Sequence, residues 1–327
     1  MTAMRAREHG LAGGPYRTGE HNAITDVPGV RVGHTTLRRE PAIHTGVTAV
    51  VPDRLPLSAG VYAGNGYGKL VGTTQIAELG VIETPILLTA TLSTFRVADA
   101  LISWMLARDP GLPSVNPVVG ECNDGWLSDM PARPITAEHV FAALDGARPG
   151  PVEEGCVGAG TGTVALGFKA GIGTASRTLD LAGAGQVTVG ALVQANFGGT
   201  LRTGARTHEA ESASELELLG LETPPDDGSC MIVVATDARL DGRQLTRVAK
   251  RGVYALGRVG ASYSNGSGDY GLAFSTAATG GHVADRHLSP LFEATLDAVE
   301  ESVLNSLLAA VPTRGRDGHT AAAWRPA

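Results

Sequence analysis

The chain contains 327 residues, 43% of them hydrophobic, which is typical of a compact globular protein and excludes a disordered one. Its net charge of −7 and scattered basic residues argue against nucleic acid or an anionic membrane as a partner. No clear linker or internal repeat interrupts residues 22–311, so we expect residues 1–327 to form one domain.

Several sequence features bear on the location of the protein and on its cofactors. The N-terminal run MTAMRAREHG lacks the apolar core of a signal peptide, and the cytoplasm is therefore the expected location. Residues 181–201 carry no charge, but their glycines and amide side chains predict buried strand and turn instead of a membrane helix. Three cysteines without CxxC or zinc spacing predict small buried thiols. Nine histidines without HExxH or other short ligand spacing predict no metal.

Apolar runs alternate with turn clusters along the chain, and their periodicity predicts a mixed α/β fold. In chain order the predicted elements are a strand at 46–51, a helix at 97–106, strands at 186–195 and 230–235, a helix after Asp241, a strand at 269–276 and a helix that Ser289 caps and Pro290 begins. Residues 200–227 are acidic with few large apolar side chains, which predicts an exposed loop with a short helix.

Two glycine-rich runs resemble phosphate-binding loops but lack the required context. In AGNGYGKL, Ala63 occupies the position of the first Walker glycine, and Leu70 replaces the required Ser or Thr. In GAGTGTVALG, Gly160, Gly162 and Ala165 fit the dinucleotide pattern GxGxxA, but no strand precedes them. We therefore expect these glycines to permit close backbone packing, and we expect no cofactor. No serine lies in a GxSxG elbow, so the sequence gives no support for an α/β-hydrolase triad.

The run DDGSCMIVVATDA places Gly228 and Ser229 directly before a strongly apolar strand. A serine hydroxyl is a weak nucleophile that needs a base, and a chain break before Ser229 would supply its own α-amine. That amine has a pKa of about 7.7–8.0, against about 10.4 for lysine, so part of it is neutral near pH 7. Gly228 tolerates the strained backbone that such a break requires. A Gly-Ser pair is also an ordinary turn, so other residues must support this hypothesis.

Further segments supply that support through resemblance. The run GSCMIVVATDA, followed by SNGSGDYGLAFSTA, resembles the DmpA-type family of L-aminopeptidase/D-esterases, which includes β-peptidyl aminopeptidases. The segments AITDVPGVRVGH, TPILLT, ECNDGWLSD, VGAGTGTVALGFKAGIGTASR, VGALVQANFG and GRDGHT resemble the same family in the same order. The resemblance implies an αββα four-layer sandwich of the N-terminal-nucleophile type. It also implies a precursor that cleaves itself between Gly228 and Ser229 into fragments 1–228 and 229–327.

The resemblance further implies roles for individual residues. Ser229 matches the nucleophile, and Ser267 and Asp269 match a pair that orients the nucleophile and its amine. Asn196 matches the residue that stabilises the oxyanion, a role that an amide N–H can perform. The implied substrate is a small peptide, amide or ester with a free amino group, and the implied assembly is a homo-oligomer, a tetramer by family resemblance.

Two departures from the family affect substrate binding. Trp126 replaces a tyrosine after Asn-Asp-Gly, and an indole donates through its N–H but cannot ionise or accept. Lys69 occupies a position where the family leads us to expect a glutamate. A lysine does not attract an ammonium, so this loop is not expected to recognise the substrate amine as a glutamate would. On charge alone, Glu121 and Asp124 are the candidates to bind a substrate ammonium.

Two alternatives to a hydrolase stay open from the sequence. An acyltransferase of the ornithine acetyltransferase type shares the self-cleaving scaffold, but such enzymes usually expose a threonine, and Ser229 favours hydrolysis. The other alternative is an uncleaved, non-catalytic binding protein that keeps the fold and uses Gly228 and Ser229 as a turn. The intact mass of the purified protein distinguishes the second alternative from an N-terminal-serine enzyme.

Overall fold

A computed structural model of the chain describes residues 4–210, 228–278 and 282–326. The helices of this part of the chain are α1 Thr73–Leu79, α2 Thr94–Arg108, α3 Ala137–Asp145, α4 Gly242–Ala255 and α5 Ser289–Leu308. Its strands are β1 Val30–Arg39, β2 Ile43–Pro52, β3 Leu57–Gly66, β4 Leu70–Val71, β5 Val81–Ile82, β6 Ile86–Ala90, β7 Val118–Cys122, β8 Val164–Ala165, β9 Phe168–Lys169, β10 Ile172–Leu181, β11 Gly185–Asn196, β12 Leu201–Thr203, β13 Arg206–His208, β14 Ser229–Thr236, β15 Gly268–Ser275, β16 Thr313–Arg314 and β17 Thr320–Ala321.

Two mixed sheets form the centre of the molecule. One contains five strands in the order β1-β2-β6-β7-β4, and the other contains six strands in the order β10-β11-β14-β15-β3-β5. Strand β14 is central in the larger sheet, where it pairs antiparallel with β11 and parallel with β15. Its eight residues are all buried, which explains why the sequence shows a continuous apolar run there.

Three apolar clusters define the layers. The middle cluster joins the inner faces of the two sheets, where Met231 of β14 lies against Gly120 of β7. A second cluster packs α2 and α3 on the five-stranded sheet, and a third packs α4 and α5 on the six-stranded sheet. The order is therefore helix, sheet, sheet, helix, and the αββα sandwich implied by the sequence is confirmed.

The helices begin close to where the sequence predicts them. Asp241 caps α4 by accepting the Gln244 N–H at 2.7 Å, and the predicted apolar stripe from Leu245 to Gly252 is buried. The start of α5 differs by one position, because a 3₁₀ turn over Asp285–His287 runs directly into the helix. Ser289 is therefore already helical instead of acting as the cap, while Pro290 still lies in the first turn.

The uncharged run at residues 181–201 ends β10, forms β11 and reaches β12, so the prediction of strand and turn is confirmed. No helix in the described part of the chain is long and apolar enough to cross a membrane. Of the acidic segment 200–227, the structure describes a short hairpin of β12 and β13, and the predicted short helix falls on 211–227, outside the described residues. All three cysteines are buried free thiols, as predicted.

Candidate active site

Ser229 is the first residue of β14 and lies at the end of the six-stranded sheet. Its neighbours across the sheet are Asn196, the last residue of β11, and Gly268, the first residue of β15. The preceding Gly228 packs against the end of β11, and a Cβ at this position would overlap the Asn196 carbonyl. The Gly228 carbonyl in turn accepts the Gly268 N–H at 3.0 Å. The end residues of three strands thus meet at the Gly228–Ser229 bond.

The hydroxyl of Ser229 contacts the smaller sheet. The backbone N–H of Asn123, just after β7, donates to the Ser229 Oγ at 3.4 Å. The thiol of Cys122 donates to the Ser229 carbonyl at 3.3 Å. Both residues belong to the ECNDGWLSD segment, but the sequence does not single out Asn123, because a backbone N–H carries no residue-type signal. The structure therefore adds Asn123 to the surroundings of Ser229.

Asn196 has a fixed amide orientation. Its Oδ1 accepts the Val164 N–H at 3.1 Å, which leaves its Nδ2 group as the hydrogen-bond donor. Val164 follows the glycine-rich loop that the buried Lys169 supports, since its ammonium donates to the Thr163 carbonyl at 2.9 Å and to the Ala170 carbonyl at 2.6 Å. The glycines of this loop pack closely on other backbone, as predicted, and they hold the partner of Asn196.

Ser267 and Asp269 form the pair that the sequence predicts. The Ser267 hydroxyl donates to the Asp269 Oδ2 at 2.9 Å, and both side chains are buried. Burial raises the pKa of Asp269 to about 6, although the hydrogen bond from Ser267 opposes the shift. In the register of β14 and β15, Gly268 pairs with Ser229 and Asp269 pairs with Cys230. Ser267 and Asp269 therefore lie on either side of Gly268, the residue that pairs with Ser229. Within the described residues, neither of their side chains hydrogen-bonds to the Ser229 hydroxyl.

The two candidate receptors for an ammonium differ in their surroundings. Glu121 is buried, and both of its oxygens accept hydrogen bonds: Oε1 from the Lys69 N–H at 3.0 Å and Oε2 from the Thr91 hydroxyl. Asp124 is also buried; the Thr45 hydroxyl and the Lys169 ammonium lie near it and oppose the rise of its pKa, but within the described residues its oxygens accept no hydrogen bond of ordinary geometry. Burial raises the pKa of Asp124 to about 7. A carboxylate without a partner has free acceptors for a cation, whereas Glu121 is already occupied.

Trp126 contacts the C-terminal segment. Its indole N–H donates to the Thr320 carbonyl at 3.2 Å, and its ring stacks on His319 with 3.8 Å between ring centroids. The only donor of this side chain is thus used within the protein, so a substrate would meet the ring alone. Among the described residues, no group of three or more metal-ligating side chains occurs.

Similarity to known proteins identifies the family of the chain. The model of Peptidase family S58 matches residues 22–321. The chain belongs to this family. A curated relative, the β-peptidyl aminopeptidase BapA of Sphingosinicella microcystinivorans, is 40% identical over 97% of the chain and 88% of its own length. Family membership makes the protein a hydrolase of the peptidase class.

Solved structures of similar proteins have the same fold. The β-aminopeptidase of a Burkholderia species has a TM-score of 0.87 at 39% identity, covering 99% of this chain and 100% of that one. The L-aminopeptidase D-Ala-esterase/amidase of Ochrobactrum anthropi, described as a variant of the Ntn hydrolase fold, has a TM-score of 0.89 at 35% identity, covering 98% and 95%. The S58 chain therefore has the N-terminal-nucleophile type of sandwich that its sequence implies.

Proposed function

We propose that the protein cleaves itself before Ser229 and then acts as an N-terminal-serine aminopeptidase or amidase. The observation that carries the proposal is the position of Ser229, which begins a central buried strand directly after Gly228. A newly formed terminus at this point is held on one side by β11 and on the other by β15. Residues 1–327 form one self-processing domain, and its two fragments, 1–228 and 229–327, contribute neighbouring strands of the same sheet.

Self-cleavage follows from the groups around the Gly228–Ser229 bond. The Ser229 Oγ attacks the Gly228 carbonyl carbon and forms an ester as the C–N bond to Ser229 breaks and the amide nitrogen takes up a proton. The Gly268 N–H, 3.0 Å from the Gly228 carbonyl oxygen, stabilises the negative charge that develops on this oxygen. Water then hydrolyses the ester, which releases the Gly228 carboxylate and regenerates the hydroxyl.

The mature enzyme uses the same serine for turnover. The α-amine of Ser229 removes the proton from Oγ, which attacks the substrate carbonyl carbon. The scissile C–N or C–O bond breaks, the leaving amine or alcohol takes the proton from the α-ammonium, and water then hydrolyses the acyl-enzyme ester to release the acid and regenerate Oγ. The Nδ2 group of Asn196, oriented by the Val164 N–H, donates to the oxyanion. Ser267 and Asp269 lie along the strand beside Ser229 and hold the α-amine in position.

The substrates are small peptides, amides or esters with a free amino group, as the names of the related β-peptidyl aminopeptidases and of the L-aminopeptidase D-Ala-esterase/amidase suggest. Glu121, Asp124 and Trp126 are the candidate contacts of the amino-terminal residue of the substrate. We further place the enzyme in the cytoplasm. We expect a homo-oligomer, a tetramer by family resemblance, and native mass spectrometry measures this oligomeric state directly. Ser229 and the family match favour hydrolysis over transfer to an acyl acceptor.

Intact mass and N-terminal sequencing of the purified protein test the proposal. The wild type should give two fragments, the second beginning with Ser229, while Ser229→Ala should stay one inactive chain. The matched control, Ser58→Ala on β3, should cleave normally, because Ser58 pairs with Val81 at the far edge of the sheet. An uncleaved wild type that still hydrolyses substrate would contradict the mechanism, and an uncleaved, inactive one would favour the binding protein.

Aminoacyl p-nitroanilides and their N-acetylated counterparts test the requirement for a free amine. The free substrates should be hydrolysed much faster, and a chelator should leave the rate unchanged, because the proposed base is an amine of the protein. Equal rates on free and acetylated substrates would contradict the aminopeptidase function. Loss of activity with chelator would contradict the assignment of the base.

A further inference from the structure

The loop between β3 and β4 borders the candidate active site. The Tyr67 N–H donates to the Ser267 carbonyl at 3.1 Å, so the loop is joined to the residue just before β15. A Cβ on Gly68 would lie 3.4 Å from the Cα of Gly268 and equally far from the Oε1 of Glu121. Glu121 and the loop are therefore close neighbours of Gly268, the residue that pairs with Ser229.

Glu121 has little capacity left for a substrate. Its Oε1 accepts both the Lys69 N–H at 3.0 Å and the Lys69 ammonium at 3.5 Å, and its Oε2 accepts the Thr91 hydroxyl. Only 3% of its side chain is exposed. A substrate ammonium would have to displace Lys69, a cation of the same charge, from this carboxylate.

Lys69 has the opposite properties. Its side chain is 40% exposed, and within the described residues its ammonium contacts Glu121 alone, at the long distance of 3.5 Å. An ammonium has three N–H donors, so Lys69 retains donors that face solvent at the border of the site. The charged group that this edge offers to a substrate is therefore the cation and not the carboxylate.

Further cations lie near the other partner of Glu121. Next to Thr91, the Leu92 carbonyl accepts the Arg133 Nε–H at 3.1 Å, and the Arg133 carbonyl accepts an Arg96 N–H at 2.6 Å. These two arginines bind backbone carbonyls, and in the described part of the chain neither forms an ion pair with a carboxylate. Together with Lys69 they place three basic side chains near Thr91 and Glu121, while the carboxylates of Asp124 and Asp129 line the same pocket as Leu92.

We propose that Lys69 selects substrates whose amino-terminal residue carries a carboxylate in addition to its free amine. The inference rests on the proposed function, because it assumes that the acyl part of the substrate binds beside Ser229. The carboxylate of the substrate accepts a charge-assisted hydrogen bond from the Lys69 ammonium, and Glu121 holds the lysine stem and ammonium in place. The preferred class is thus amides and peptides of acidic amino acids, linked through either carboxyl group.

Matched p-nitroanilides test this selection because they differ only in one charge. The substrates are α-aspartyl and α-asparaginyl anilides, the β-linked aspartyl anilide and its α-carboxamide, and β-alanyl anilide, which has an amine but no carboxylate. For the wild type we expect kcat/KM for a carboxylate substrate to exceed that for its carboxamide by about 10–100-fold, the range of a charge-assisted hydrogen bond.

Substitution of Lys69 should remove this preference. Lys69→Met should lower kcat/KM for the carboxylate substrates by about the same 10–100-fold factor, mainly through KM, and leave the carboxamides unchanged. It should also hydrolyse β-alanyl anilide at least as fast as the wild type, because Glu121 then lacks its ammonium partner. Lys69→Arg should keep the preference. The control Lys250→Met, on α4 against Tyr62, should change none of these ratios.

The outcomes separate this inference from the proposed function. If the wild type hydrolyses all the anilides without preference, or if Lys69→Met keeps the full preference, the role of Lys69 is wrong while the aminopeptidase function stands. If the wild type hydrolyses none of the five anilides, the proposed function fails and this inference fails with it.

Discussion

Two regions of the molecule bury carboxylates, and they surround them differently. On the buried face of α5, Glu301 forms an ion pair with Arg177 at 2.7 Å and accepts hydrogen bonds from Arg7 at 2.9 Å and Asn22 at 2.6 Å. Beside Ser229, Asp124 has no hydrogen-bond partner among the described residues, and one oxygen of Asp269 has none either.

The difference identifies what each region does. A buried carboxylate that faces arginine joins elements of the fold, here the N-terminal segment, β10 and α5. A buried carboxylate outside such an ion pair holds its proton more tightly: burial raises the pKa to about 7 for Asp124, although the charge of Lys169 opposes the shift, and to about 6 for Asp269. Groups that titrate near neutral pH inside a protein are unfavourable for stability and suited to proton transfer or ligand binding.

The sharpest test of this comparison is Asp269→Asn. The substitution keeps the size of the side chain and removes the carboxylate that we place behind Ser267. We expect kcat to fall by roughly 10²–10⁴-fold, the range for loss of one acid–base participant, with little change in Tm. Steady-state kinetics and thermal unfolding of the same preparation measure both quantities. Normal turnover with a large drop in Tm would return Asp269 to a structural role.

The counterpart substitution, Glu301→Gln, should have the reverse effect. It leaves Arg177 buried without an anion, and we expect the free energy of unfolding to fall by about 3–5 kcal/mol. Turnover per folded molecule should not change, because Glu301 lies on the buried face of α5, where it pairs with Arg177 of β10, and not beside Ser229. Denaturant unfolding and active-site titration separate the two effects. A variant with normal stability and reduced kcat would show that Glu301 is not a purely structural carboxylate.

A smaller effect, of opposite sign, is expected for Asp124→Asn. Because the pKa of Asp124 is raised in the folded protein, its carboxyl costs no stability below pH 4, and the cost grows until pH 7 and then stays constant. Removal of the charge should therefore stabilise the protein at pH 8 by roughly 1–3 kcal/mol and leave it unchanged at pH 4. Unfolding at the two pH values measures the difference. Destabilisation at pH 8 would show that the carboxylate has a partner after all.

The smallest expected effect is in the shape of the pH–rate profile. In the proposed mechanism, activity requires Asp269 to be ionised, above a pKa of about 6, and the Ser229 α-amine to be neutral, above roughly 7.7–8.0. The logarithm of kcat/KM should rise with two slopes, steeper below pH 6 and shallower up to pH 8. The residual activity of Asp269→Asn should keep only the upper limb. An unchanged profile in that variant would remove Asp269 from proton transfer.

The sequence alone predicted the parts of the protein that local patterns encode. The apolar run after Ser229 and the stripe after Asp241 became β14 and α4, because burial of one face or of a whole strand leaves a readable period. Ser267 and Asp269 came instead from the resemblance to the family, because a serine and an aspartate two residues apart in a glycine-rich run are otherwise ordinary turn residues. Segments that resemble the family, in the same order along the chain, then predicted the fold.

Tertiary structure alone decided which groups contact one another across the chain. Asn123 reaches the Ser229 hydroxyl through a backbone N–H, a group that every residue except proline possesses, so no residue type reveals it. The sequence proposed Glu121 and Asp124 as equal candidates on charge, yet packing gave Glu121 three donors and Asp124 none among the described residues. The sequence shows which side chains carry a charge, whereas their hydrogen-bond partners lie on strands that meet only in the folded protein.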